Sequence, residues 1–322
     1  MTSSNGGLWP LLFRRFLQAL LTILLIVALL FAGVELLPGD PAEAILGQNA
    51  TPEAVANLRQ AMKLDVPASE RFLVWLGDVV QGDLGVSTIT HRPIADDFAF
   101  RGFNTLFLAL YAAAFAIPLS IFLGLIAALH HDTAVDRTIC FLSLASISFP
   151  EFFVGYVLIS VFATELGWFP ILSQVSAEMS LGERLFRTAL PAVTLSFLVG
   201  AYILRVTRAT IITIMAKPYI EMAELKGVSR RGRIFKHALA NAIGPIANVV
   251  ALSLAYMVVG IVVVEVVFTY PGLGQWMVDS VAKHDMNVIQ ICGLAFGATY
   301  VLLNMTADIV AYLANPRLRY KR

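Results

Sequence analysis

An all-α membrane protein with six transmembrane helices and a polar outer-face insert after the first is the fold class this sequence predicts. Three observations carry that reading. Hydrophobic residues fill 58% of the 322 positions and charged residues only 14%, against roughly 25% charged in an average soluble domain. Six apolar runs recur along the chain, each near the about 20 residues that cross a bilayer as a helix. Two longer polar stretches interrupt them: residues 38–102, and Lys217–Pro245 with its six basic residues Lys217, Lys226, Arg230, Arg231, Arg233 and Lys236. Mean hydropathy is +0.77.

In chain order, residues 1–15 form a short polar N-terminus ending in Arg14-Arg15. The run 16–37 is longer than the roughly 7–15 apolar residues of a signal-peptide core, and no small-x-small cleavage site follows it. It reads as an uncleaved first span, held with its N-terminus in the cytoplasm by the arginine pair. A twin-arginine export signal is the lesser alternative, because the run continues straight into Leu37-Pro38-Gly39-Asp40. Residues 38–102 are a periplasmic insert. Thr51 can cap a short amphipathic helix that has Pro52 at its first position. A second helix is expected over Ser69–Val80, with Phe72, Leu73, Leu76, Val79 and Val80 on its apolar face. The core of residues 103–314 carries five more spans: Phe103–Leu129, Thr138–Ala163, Leu190–Met215, Ile243–Phe268 and Val288–Ala314. Pro118, Pro150 and Pro245 are expected to kink them. Residues 315–322 end the chain in the cytoplasm.

Lysine and arginine positions set this orientation. Of the 23, the segments that alternation places inside carry Arg14, Arg15, Arg137, the six of the basic insert, Arg317, Arg319, Lys321 and Arg322. Arg205 and Arg208 stand at the inner end of the fourth span. The two short outer loops hold only Arg184, Arg187 and Lys283. By the positive-inside rule both termini and the basic insert face the cytoplasm.

The motifs that are missing narrow the chemistry. There is no G-x-x-x-x-G-K-[ST], so the chain binds no nucleotide through a P-loop. H-E-x-x-H and G-x-S-x-G are also missing. The histidines His91, His130, His131, His237 and His284 fall on loops or span ends and suggest no metal cluster. Cys140 and Cys292 lie in apolar runs as small hydrophobes. No nucleophile–base pair stands inside a span, which disfavours a membrane enzyme. Ionisable groups in or near hydrocarbon each need a reason, since they cost about 2.5–3.5 kcal/mol on insertion scales. Glu35, Glu165, Arg205 and Arg208 read as interfacial. Glu151 after Pro150, and Glu265 a turn inside the fifth span, are each open between lining a pathway and structural pairing. Asp308 reads as structural, a partner for Arg205 or Arg208.

The basic insert has a helix–turn–helix grammar of its own. Glu221, Met222, Ala223, Glu224, Leu225 and Lys226 form a short helix, and Gly227 ends it in the left-handed conformation. Ser229 can cap the next helix, Arg230–Ala242. Ala223 and Gly227 are small enough for a partner to approach closely. Topology or anionic lipid accounts for the charge but not for this grammar.

These residues resemble the EAA loop of ABC-importer permeases. Glu221, Ala223 and Gly227 stand at its glutamate, second alanine and glycine, and Met222 replaces the first alanine. Where the general motif ends in isoleucine–x–leucine–proline, this chain has His237-Ala238-Leu239-Ala240-Asn241-Ala242, with Pro245 later. That version is similar to the dipeptide/oligopeptide branch. The same branch is matched by Leu37-Pro38-Gly39-Asp40-Pro41, Gly82-Asp83-Leu84-Gly85, Arg205-x-x-Arg208, Glu265-x-x-Phe268-x-x-Pro271-Gly272-Leu273-Gly274 and Asn315-Pro316-Arg317-Leu318-Arg319. The order is that of its first permease subunit. The resemblance implies a type I ABC importer permease (MetI-like) fold in a bacterial inner membrane. It implies a homologous second permease, two ATPase subunits that hold ATP and magnesium, and an extracytoplasmic substrate-binding protein. It leaves no cofactor, metal or nucleic acid to this chain. Glu221–Gly227, with Met222, Ala223, Glu224 and Lys226, would be the coupling helix, within a coupling loop of residues 216–243. Di- and oligopeptides lead the expected substrates, with nickel, glutathione and opines open. A stand-alone secondary transporter is the alternative, although the two related halves it would show are not visible.

Overall fold

A computed structural model gives the structure of residues 8–36, 40–47, 50–62 and 64–314. The expectations at residues 1–7, Leu37-Pro38-Gly39 and Asn315–Arg322 lie outside the described residues. The described chain is all-helical apart from one isolated bridge between Val86 and Pro93.

Among the described residues, five helices are long and apolar enough to cross a membrane, and a bent pair brings the number to six when counted as one span. The first is α1 (Leu8–Glu35). Three short helices follow in the insert: α2 (Pro41–Leu46), α3 (Pro52–Ala61) and α4 (Ala68–Val80). Thr51 caps α3 as expected, its Oγ1 accepting from the Ala54 N–H at 3.2 Å, with Pro52 at the first position. The second crossing, α5 (Ile94–Leu129), starts well before Phe103, because Ile94 is fully buried and anchors the first turns. α8 (Leu181–Met215) likewise starts before Leu190, on the Ser180 cap. The helix expected over Arg230–Ala242 and the fifth span are one helix, Arg230–Val267. It passes through α10 (Arg230–Gly232), π-helical turns at Arg233–Ala238, and α11 (Leu239–Val267).

The third crossing is broken where a kink was expected. α6 (Ala134–Ser148) and α7 (Glu151–Leu158, running on in π turns to Glu165) meet at 104°. Pro150 removes an N–H and drives the residue before it out of the helical region. Phe149 accordingly has ψ 136° and Pro150 ψ 146°, two extended residues in succession. An amphipathic helix not expected from the sequence, α12 (Leu273–Lys283), links α11 to α13 (Met286–Ala314).

α8 is the central helix, packed against α5, α6, α7 and α11. Leu108, Leu195, Ile203, Val264, Phe268 and Tyr270 lie in the core around it. A second cluster at one end joins Leu125 and Ala128 to Ile211, Ile234, Ala238 and Ala242. This is the end that carries the basic segment. A third cluster at the opposite, insert end joins Ile94 to Leu273, Val288, Ile291 and Cys292. α1 packs on α13, where a Cβ on Gly293 would lie 2.8 Å from Leu30 and one on Gly297 2.9 Å from Ile26. The two glycines are four apart and give the close helix approach that replaces a hydrophobic driving force within lipid.

The insert is fastened at both of its ends. Arg71 donates to Glu35 at 2.5 Å. Ser87 Oγ donates to Asp285, Thr88 donates to the same carboxylate through N (3.2 Å) and Oγ1 (3.0 Å), and Asn287 Nδ2 donates to the Val86 carbonyl at 2.8 Å. On α4, Leu73 and Val80 are exposed rather than packed, while Trp75 and Val79 pack on the cluster at the insert end.

Candidate coupling segment and intramembrane carboxylates

The basic end presents one short helix, α9 (Pro218–Leu225). Pro218 occupies its first position, where the lost N–H would have had no partner anyway. Its end is a Schellman motif. The Gly227 N–H donates to the Glu224 carbonyl at 2.8 Å and the Val228 N–H to the Ala223 carbonyl at 3.1 Å, with Gly227 at φ +79°. Two residues on, Ser229 Oγ accepts from the Gly232 N–H at 3.2 Å and starts the next helix. Glu224 forms a salt bridge with Arg233, tying the two helices across the turn.

Which face of α9 is free differs from the expectation. Ala223 is turned inward together with Ile220, toward the π turns and α8. Its small side chain therefore admits this chain's own helices rather than a partner. Tyr219, Met222 and Leu225 point out, 48%, 54% and 76% exposed. They recur every three residues, so they form a single stripe. Glu221, Lys226 and Gly227 are exposed beside it. Tyr219 was not expected in the helix and Leu225 was not singled out within it, although their spacing around Met222 was the available signal.

Arg208, about two turns before the end of α8, holds α6. Its Nε donates to Asp136 Oδ1 at 2.5 Å and its Nη2 to Oδ2 at 2.7 Å, in the bidentate geometry that suits guanidinium and carboxylate. His131 Nδ1 lies 3.3 Å from the same carboxylate, and the Asp132 N–H donates to it at 3.1 Å. His131, Asp132 and Asp136 are close enough to hold a metal ion. The guanidinium already fills that role for Asp136, so the group is an ion-paired lock between α6 and α8. Arg205 is exposed. Neither arginine pairs with Asp308, which instead meets Arg15 of α1 at 2.8 Å. The reason is topological: α13 packs on α1, so the cation facing Asp308 comes from the first span.

Glu265 is completely buried near the end of α11. Its Oε2 accepts from the N–H groups of Gly274 (2.7 Å) and Gln275 (3.2 Å), and its Oε1 accepts from Thr105 Oγ1 at 2.7 Å. Thr105 Oγ1 in turn accepts from the Leu273 N–H at 2.8 Å. All three first-turn donors of α12 are thus satisfied by side chains from α5 and α11, and the carboxylate sits at the positive end of the helix dipole. The turn before α12 is held as well. Asn104 Nδ2 donates to the Pro271 carbonyl at 2.9 Å, Arg184 donates to Asn104 Oδ1 at 2.7 Å, and the Tyr270 hydroxyl donates to the Asn104 carbonyl at 3.0 Å. Burial pushes the Tyr270 phenol up from its ordinary range, so it remains a donor.

Glu151 contrasts with this. It is the first residue of α7 and half-buried, and none of the described residues hydrogen-bonds or ion-pairs with it. Its Oε1 lies 3.6 Å from where a Cβ would stand on Gly260 of α11.

Comparison with known proteins follows the same outline. Residues 120–320 match the family model "Binding-protein-dependent transport system inner membrane component". Residues 8–94 match the model of the N-terminal part of such membrane components. The chain is 36% identical over 308 residues to the glutathione transport system permease protein GsiC of Escherichia coli (strain K12), covering 96% of this chain and 98% of that protein. GsiC of Shigella flexneri serotype 5b (strain 8401) is 36% identical and that of Shigella boydii serotype 4 (strain Sb227) 35% identical, with the same coverage. The protein is an inner-membrane permease of an ATP-driven ABC importer that works with ATPase and binding-protein partners, not a stand-alone transporter. The chain belongs to the family of binding-protein-dependent transport system inner membrane components.

Proposed function

We propose that this chain is one of two homologous permease subunits of an importer for peptide-like solutes, glutathione among them, and that α9 is its coupling helix. Two ATPase subunits carry ATP and magnesium, and one of them receives α9. Residues 216–243 form the coupling loop in the cytoplasm with both termini, and residues 38–102 form the periplasmic insert that faces the binding protein. Glu151 lines the path between the two permeases.

The carrying observation is the exposed stripe Tyr219, Met222 and Leu225 on a helix fixed at its C-terminal end. Three large apolar side chains in water are costly unless a partner covers them. The Schellman turn and the Glu224–Arg233 pair set the direction of α9 before any partner arrives. The named relatives support the solute class, since they are glutathione transport system permeases.

The test is uptake of radiolabelled glutathione and trialanine by cells expressing the whole transporter. Gly227→Val places a β-branched residue at φ +79°, which costs roughly 1–2 kcal/mol of backbone strain and redirects the chain after α9. Uptake is expected to fall below a tenth of wild type while the subunit still inserts in the membrane. Undiminished uptake would remove α9 from the coupling role. Leu225→Asp is expected to lose the ATPase subunits on mild detergent extraction.

A further inference from the structure

The break in the third crossing carries an unanswered demand. α6 stops at Ser148 and α7 leaves at 104°. The depth of the break is fixed by its neighbours. The Cβ position on Gly260 that lies beside the Glu151 carboxylate also lies against Leu198, the middle residue of α8. At that depth a carboxylate facing hydrocarbon costs about 2.5–3.5 kcal/mol on insertion scales. Glu151 has no partner among the described residues to offset this. The first turn of α7 has no side-chain cap either, so its N–H groups also need water or protein around them. One arrangement meets both needs: the break faces a water-filled path.

Resting on the permease reading above, we propose that Glu151 binds the protonated amine of the solute and selects for solutes that carry one. The last carbonyls of α6 end at the same break, where their negative pole offsets the positive pole that α7 presents at Glu151. Phe152 and Tyr156 of α7, and Tyr256 one turn along α11 from Gly260, are each at least half exposed. A lone carboxylate with exposed aromatic residues on the same helix suits an organic ammonium, which gains from cation–π attraction where a ring faces it. A divalent metal ion would need several oxygen or nitrogen ligands. The described residues bring no second titratable ligand to Glu151, because the one group with metal-like spacing is His131, Asp132 and Asp136.

The experiment uses the complete transporter in proteoliposomes with ATP and binding protein. Trialanine and N-acetyl-trialanine are the probes. Glu151→Gln is expected to lower trialanine uptake about tenfold, as loss of a charge-assisted hydrogen bond does. Uptake of the acetylated probe should change less than twofold. Equal losses for both probes, or none for either, overturn the proposal. A second readout is independent of the solute. In a Cys140→Ser, Cys292→Ala background, Glu151→Cys is expected to react with a membrane-impermeant trimethylammonium thiosulfonate. A cysteine there that stays unreactive through ATP turnover places Glu151 away from water and overturns the proposal. If wild type carries neither probe while the cysteine reacts, the peptide reading under the proposed function falls and the water-facing position stands.

Discussion

Glu265 and Glu151 look alike in the sequence, each a single acid within an apolar run, yet the fold treats them in opposite ways. Glu265 is sealed, and its two oxygens accept three hydrogen bonds that hold α5, α11 and α12 together. Glu151 stands at a helix break with open surface around it and no partner among the described residues. A buried carboxylate survives when donors surround it, and an unpaired one survives when water reaches it. The first condition makes a structural clamp and the second leaves a group free to meet a solute. Asp136 and Asp308 fall between these extremes, one paired and buried, the other paired and half exposed.

The comparison predicts an order of stabilities, readable as thermal unfolding of the purified transporter. Glu265→Ala stands first. It strands the N–H groups of Gly274 and Gln275 and the Thr105 hydroxyl, and each unpaired buried group costs about 1–3 kcal/mol. A total loss of roughly 3–5 kcal/mol is expected, with Glu265→Gln recovering part of it through its remaining carbonyl oxygen. If Glu265→Ala melts like wild type, the clamp bears no weight and the contrast with Glu151 collapses. Asp136→Ala comes second. It leaves the Arg208 guanidinium without its bidentate partner, but Arg208 is 24% exposed and water relieves part of the penalty. A loss of about 2–3 kcal/mol is expected, and Asp136→Glu should restore less than half of it because the longer arm spoils the fork geometry.

What the sequence disclosed follows the range of the interaction. The Gly227 turn, the Ser229 and Thr51 caps and Pro52 at a first helical position are local. Each depends on residues within about one turn. The apolar runs declared the crossings for the same reason. The Glu265 clamp could not be read, because Thr105 lies 160 positions away and only the packing of α5 on α12 brings it there. The partner of Asp308 was misassigned because nothing local says that α13 packs on α1. Pro150 announced a deformation but not its 104° size, which depends on α7 finding its place against α8 and α11. α12 was missed although Leu273, Trp276, Met277 and Ser280 carry a helical period. The stretch is too short and too polar to register as a span.

Asp308→Asn should matter less than either buried change. The Arg15–Asp308 pair is 45% and 42% exposed, and exposed ion pairs contribute about 0–1 kcal/mol. A melting shift indistinguishable from wild type in high salt, and small in low salt, is the expected outcome. A large loss would mean that the α1–α13 seam excludes water and that α1 is bound more tightly than its exposed surface suggests.

Glu151→Gln is expected to have the smallest effect of all on stability, within about 0.5 kcal/mol, as substitutions away from partnered groups usually are. No hydrogen bond or ion pair among the described residues is lost, and the volume hardly changes. The side chain stays beside Gly260, where the space is already set by Leu198. A marked stabilisation would say that the charge was trapped against hydrocarbon and relieved by neutralisation. A marked destabilisation would say that a second subunit supplies Glu151 with a cation. Only a neutral melting profile, together with a selective loss of amine-bearing solute, leaves Glu151 as a carboxylate that the fold places in water for binding rather than for holding helices together.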